Sequence, residues 1–109
     1  MVYVENNDIT LTRGDTLTLK IDIMDETGET YTPTASDVIR FAMKRRYKDN
    51  ECLINKIIPN GSLILQIDPA DTKPLQFGKE YVYDIQLTTA GGVVDTFISG
   101  TIYLSEEVD

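Results

Sequence analysis

The chain has 109 residues, a formal net charge of −8 and no histidine. This length suits one domain with one modest core, so residues 1–109 are expected to form a single domain. The acidic balance opposes nucleic-acid binding, and the missing histidine removes the commonest general base and metal ligand. We therefore expect a non-enzymatic protein with no cofactor and no metal.

No run of about 18 apolar residues is present, so no membrane span is expected. The opening "MVYVENNDIT" lacks the basic start and continuous apolar stretch of a signal peptide, which argues against secretion by that route. Cys52 is the single cysteine, so no intrachain disulfide can form. We expect it to pack as a small apolar residue.

The first strong pattern is "LTRGDTLTLKIDI", in which Leu17, Leu19, Ile21 and Ile23 alternate with polar residues. Alternation predicts a half-buried strand. The tripeptide Arg13, Gly14 and Asp15 just before it matches a cell-adhesion motif, which would need an exposed loop tip. Because strand-like "DITLT" precedes it, a structural turn is the favoured interpretation: Gly14 supplies a bend and Asp15 bonds nearby backbone amides.

The next strand, "VIRFAMKRR", places Ile39, Phe41 and Met43 on one face. Half of the ten lysines and arginines crowd into "RFAMKRRYK", namely Arg40, Lys44, Arg45, Arg46 and Lys48. These residues form a possible interaction patch for an acidic partner. A solvated strand end and loop is the plainer alternative, and the sequence favours it.

The second half of the chain continues in short segments. "CLINKII" and "SLILQI" flank Asn60-Gly61, which predicts a hairpin. "DPADTKPLQFG" predicts one short helix, with Asp68 as cap, Pro69 in the first position and Asp71 in the first turn. "KEYVYDIQLT" alternates again, Gly91-Gly92 predicts a turn, and Gly100 predicts a bulge or bend within the last strand or pair.

Together these segments predict an all-β fold: an immunoglobulin-like antiparallel β-sandwich of about seven strands with one short helical turn. A small barrel is the alternative. The terminal "SEEVD" is similar to the tails that cytosolic chaperones offer to carboxylate-clamp repeats, but an acidic chain end after the last strand is the simpler expectation.

The order of features resembles the small immunoglobulin-like domains of tailed-phage structural proteins, such as the N-terminal domain of baseplate upper proteins. The resemblance rests on four stretches: Gly14-Asp15-Thr16, Asp68 to Thr72, Gly78 to Ile85, and Thr96 to Gly100. In the baseplate proteins further domains follow, whereas this sequence stops soon after its last predicted strand. The resemblance therefore implies a stand-alone subunit or accessory of the virion, at tail, neck or baseplate.

The expected function is a structural or assembly module of a phage or prophage particle that acts through protein–protein contacts. Its partners would be other phage structural proteins or copies of itself in a homo-oligomer or ring, with neither nucleic acid nor membrane. Two alternatives stay open. One is a small phage-encoded acidic inhibitor of a bacterial defence protein, and the other is a carbohydrate-binding module using exposed aromatic side chains.

Overall fold

The structure is a computed structural model that describes residues 2–5, 7–24 and 27–106. The described residues form eight strands and one short helix. The elements are β1 (Val2–Glu5), β2 (Asp8–Thr12), β3 (Leu17–Lys20), β4 (Val38–Lys44), β5 (Ile54–Ile58), β6 (Ile64–Ile67), α1 (Pro69–Thr72), β7 (Lys79–Thr88) and β8 (Val94–Ser105).

Two sheets pack face to face. The larger has the order β1-β2-β8-β7-β4-β5, and the smaller consists of β3 and β6. The run β8-β7-β4-β5 of the larger sheet lies opposite the pair β3-β6. The expected all-β sandwich with one short helix is therefore confirmed.

One pairing departs from the expected antiparallel arrangement. β2 runs parallel to β8, with Ile9 opposite Ile102 and Thr12 opposite Ser105. A parallel pair needs a long crossover connection, and the remainder of the sandwich supplies it here. The pairing joins the two ends of the fold in one sheet.

The core is built from the alternation seen in the sequence. The buried apolar side chains of β4 and β7 lie on one face of each strand, as predicted: Ile39, Phe41, Met43, Tyr81, Tyr83, Ile85 and Leu87. They pack against the inner face of the smaller sheet, where Leu17, Leu65 and Ile67 are also buried. Each such side chain contributes roughly 1.5–3 kcal/mol through its removal from water.

The predicted hairpin at Asn60-Gly61 is wrong. β5 pairs with β4 and β6 pairs with β3, so this turn carries the chain from one sheet to the other. Within this turn Leu63 adopts a left-handed backbone conformation, with φ 55°. Its amide donates to the Pro59 carbonyl at 2.9 Å. The Asn60 side chain donates to the carbonyls of Thr34 and Asp37, both at 2.7 Å. Asn60 therefore tethers a neighbouring loop.

The bulge in the last strand is not at Gly100. The register of β7 with β8 shifts between Ile85 and Gln86, which leaves Phe97 as the extra residue. Gly100 lies in regular pairing opposite Tyr83, and a Cβ there would overlap the carbonyl oxygen of Asn7. The glycine is needed because another backbone passes close to it.

Candidate interaction surfaces

The five residues of the predicted patch occupy one outer face and one loop. Arg40 and Lys44 project from the outer face of β4, and Arg45, Arg46 and Lys48 follow in the connection to β5. All are exposed except Lys44, which is half-buried. We call these five residues the basic patch.

Two acidic residues, Asp84 and Asp49, lie near the basic patch and partly offset its positive charge. In the sheet register Asp84 lies opposite Ala42, and therefore diagonally between Arg40 and Lys44. In the loop, Arg46 Nε lies 3.7 Å from Asp49 Oδ1, and the Arg46 side chain is 79% exposed. Exposed pairs of this kind contribute about 0–1 kcal/mol, so a partner's carboxylate can replace Asp49 at little cost.

An aromatic side chain and a thiol accompany these charges. Tyr47 stands in the same loop and is 61% exposed. Cys52 is exposed, so the expectation that it packs as an apolar residue is wrong, and it lines a shallow concavity together with Arg40 and Lys44. Exposed arginine and tyrosine side chains are enriched at protein-binding surfaces.

The Arg13-Gly14-Asp15 segment forms the turn between β2 and β3. Gly14 takes φ 89°, a left-handed value that favours glycine. Arg13 Nη1 donates to the Leu75 carbonyl at 3.0 Å, and the guanidinium carbon lies 5.3 Å from the centre of the Phe77 ring. An adhesion motif needs a protruding arginine, whereas this one is half-buried against the segment after α1.

Helix α1 is fixed by contacts that also account for its two carboxylates. The Asp68 amide donates to Asp71 Oδ2 at 2.8 Å, and Lys56 Nζ lies 2.8 Å from the same oxygen. Burial alone would raise the pKa of Asp71, but the Lys56 ammonium and the Asp68 amide outweigh it and lower that pKa below 3.8. Asp68 and Asp71 therefore act as a helix cap and an anchor rather than as an acid–base pair.

Lys56 is a residue that the sequence reasoning missed. It lies between Ile54 and Ile58 on the inner face of β5, where alternation leads one to expect an apolar side chain. Its ammonium extends beyond the inner face and reaches α1. The sequence offered one indication of this role, which is a lysine at an inward-facing position of "INKII". An inward-pointing charge on an edge strand also discourages pairing with another chain.

A second missed surface lies between the two sheets. The first half of β8 and the strand β3, with its continuation through Met24, border two neighbouring clefts of about 300 Å³ and about 260 Å³. We call this region the open seam. The apolar side chains that line it are Leu19, Ile21, Ile23, Met24, Ile85, Leu87, Val93, Phe97 and Ile98. The seam arises because β8 has twelve residues and β2 only five, and no local pattern in the sequence signals this difference.

No family model matches the chain, and neither a curated protein nor a solved structure matches it. Within residues 2–5, 7–24 and 27–106, no helix is long and apolar enough to cross a membrane. The same residues contain no group of three or more metal-ligating side chains. Residues 107–109 of the acidic tail lie outside the described part.

Proposed function

We propose that this protein is a non-enzymatic assembly module of a phage or prophage particle, at tail, neck or baseplate, and that it acts through protein–protein contacts. It would be made in the bacterial cytoplasm and end in the virion. Its partners would be copies of itself, in a homo-oligomer or ring, or other structural proteins of the particle.

The observation that carries this proposal is a contact between two of the stretches that resemble phage domains. The Gly14 amide donates to Thr72 Oγ1 at 2.9 Å, which joins Gly14-Asp15-Thr16 to the helical turn ending at Thr72. The two stretches lie 58 residues apart in sequence. Because the two stretches are in contact, the features that carry the resemblance form one structural unit in this protein, and this supports the proposal.

The basic patch supplies the proposed mechanism of assembly. The chain carries 18 acidic residues against 10 basic ones, so a neighbouring copy presents an excess of negative charge. Arg45, Arg46 and Lys48 would meet such a surface, with Tyr47 supplying apolar area at the centre of the contact. Charge complementarity of this kind sets orientation and association rate more than affinity.

The test is the solution mass of the purified chain, measured by light scattering at several concentrations. A reductant must be present, because the exposed Cys52 thiol could cross-link two copies. A defined oligomer is expected. A monomer at every concentration would exclude self-assembly and direct the search to other tail components.

Charge-reversal variants distinguish an effect of the basic patch from an effect of the overall net charge. Arg45→Glu should dissociate the oligomer, whereas Lys79→Glu, at an exposed position on β7, makes the same change in net charge and should not. Equal behaviour of the two variants would remove the patch from the mechanism. Genes for tail proteins beside the coding sequence would support a particle component, and early genes would support the inhibitor alternative.

A further inference from the structure

The first half of β8 has a free edge. β2 pairs only with the segment from Ile102 to Ser105, and Asp8 Oδ1 then accepts from the Thr101 amide at 3.3 Å and from Thr101 Oγ1 at 3.0 Å. In the part of the chain that the structure describes, residues 94–99 pair with β7 alone. This edge therefore has unused backbone donors and acceptors.

The pairing of β7 with β8 determines in which direction the amides of Val94 and Thr96 point. The Thr89 amide donates to the Val93 carbonyl at 2.9 Å. Alternate pairs of an antiparallel ladder are hydrogen-bonded, so the next bonded pair is Leu87 with Asp95. The amides of Val94 and Thr96 consequently point away from β7 and towards the open seam.

The opposite wall of the seam is also a free strand edge. Among the described residues, β3 pairs only with β6. The floor between the walls includes Ile85 and Leu87, which project from β7 two residues apart, a spacing of roughly 6.6 Å. Alternate side chains of any extended strand have that same spacing, so one strand can place a side chain in each cleft.

We propose that the open seam receives an extended strand from another protein, with apolar side chains at alternate positions and basic residues beside them. Backbone hydrogen bonds to residues 94–99 would hold the strand, and the two clefts would select its side chains. Asp22 and Asp95 are among the residues that line the clefts, with Lys20 as the one cation among them.

Charge favours a foreign strand over a second copy. A second copy would bring a net charge of −8 and the same two acidic residues to these clefts. The free edge of β8 also lacks an inward-pointing lysine like Lys56 on β5, whose charge discourages pairing with another strand. The proposal is separate from self-assembly through the basic patch. Arg40 and Lys44 project from the outer face of the larger sheet, whereas the clefts lie on its inner face, where Ile85 and Leu87 project.

The probe is a synthetic peptide in which valine alternates with threonine and lysine stands at each end. Titration followed by amide NMR should give saturable shifts at residues 94–99 and along β3, with residues of the basic patch unaffected. Thr96→Pro removes an outward-pointing amide and should weaken binding about five- to tenfold, the effect of one lost backbone hydrogen bond. Thr96→Val keeps the amide and should bind within about twofold of the unaltered chain.

A second variant keeps the test valid if proline disturbs the strand. Asp95→Lys should weaken the lysine-ended peptide and strengthen one ended by glutamate. The proposal is overturned if no saturable shifts appear, or if Thr96→Pro and Thr96→Val bind equally. It is also overturned if the amides of residues 94–99 become protected from hydrogen exchange as the chain alone is concentrated, because the occupant is then a second copy.

Discussion

The Gly14 amide donates a hydrogen bond of 2.9 Å to the hydroxyl of Thr72, whose side chain is buried. The same hydroxyl faces the Pro69 carbonyl at 3.5 Å, so it links the first turn of α1 to the bend between β2 and β3. The left-handed backbone of Gly14 directs its amide towards the helix. A short helix without a long apolar face is thus held to the sandwich by a specific polar contact.

Thr72→Val tests this contact. Valine has the shape of threonine without the hydroxyl, so the half-buried Gly14 amide is left without its acceptor. We expect a loss of about 1–3 kcal/mol in the free energy of unfolding, measured by urea denaturation. Thr16→Val, at an exposed position of the same turn, should change stability by less than about 0.5 kcal/mol. Similar values for the two variants would contradict the link.

Asp15→Ala tests whether the Arg-Gly-Asp sequence is a structural turn. The Asp15 amide donates to the Thr12 carbonyl at 3.0 Å, which closes the bend before β3. Aspartate favours such turns because its side chain bonds nearby amides. A loss of about 1 kcal/mol would lower the melting temperature by roughly 4 °C. An unchanged melting temperature would rule out this account.

Period-two alternation predicted the core and every strand except β1, which the sequence analysis did not anticipate. It correctly placed Phe41 and Tyr83 inside the sandwich, where their rings lie 5.5 Å apart. The helix was equally predictable, because Asp68, Pro69 and Asp71 each have a local preference for its first turn. These features depend on near neighbours in sequence, which is why one sequence revealed them.

The features that were predicted wrongly or missed depend on distant parts of the chain. Asn60-Gly61 has the local preference of a hairpin, but its flanking strands find better partners in β4 and β3. Gly100 is explained only by the backbone of Asn7, which lies far away in sequence. The open seam likewise arises from the different lengths of β2 and β8, and the neighbourhood of neither strand reveals it.

Tyr31→Phe should change how stability depends on acid. The Tyr31 hydroxyl donates to Asp37 Oδ2 at 2.5 Å, and the Thr34 amide donates to the same oxygen at 3.0 Å. These bonds, the tyrosine first, lower the pKa of Asp37 below 3.8. A lowered pKa stabilises the fold above pH 3.8, and that stability is lost as the pH falls through the folded-state pKa. The variant should therefore lose more stability at pH 7 than at pH 3, as measured by urea denaturation.

An exposed tyrosine gives the matched control for that experiment. Tyr103→Phe removes a hydroxyl from the outer face of β8 and should leave the pH profile unchanged. If Tyr31→Phe lowers the free energy of unfolding equally at both pH values, the hydrogen bond from Tyr31 does not set the ionisation of Asp37.

Tyr83→Phe should change the alkaline titration. Burial, followed by the charges of Asp8 and Tyr47, raises the pKa of Tyr83 to about 12. A raised pKa stabilises the fold fully below pH 10, and this stability disappears as the pH rises towards 12. Ultraviolet absorbance should show a late-ionising tyrosine that Tyr83→Phe removes and Tyr103→Phe keeps. Loss of the late step in the Tyr103 variant instead would contradict the assignment.

Gly100→Ala tests the close approach of two backbones at the end of the fold. The new Cβ would overlap the Asn7 carbonyl oxygen and lie 3.1 Å from Tyr83 Cε1. That carbonyl also accepts the Tyr83 hydroxyl at 2.5 Å, so it cannot move without losing this bond. We expect a loss of about 1–3 kcal/mol in the free energy of unfolding, measured by urea denaturation. Gly61→Ala enters open space at an ordinary φ and should be nearly neutral, so equal losses would show that the crowding at Gly100 is relieved without cost.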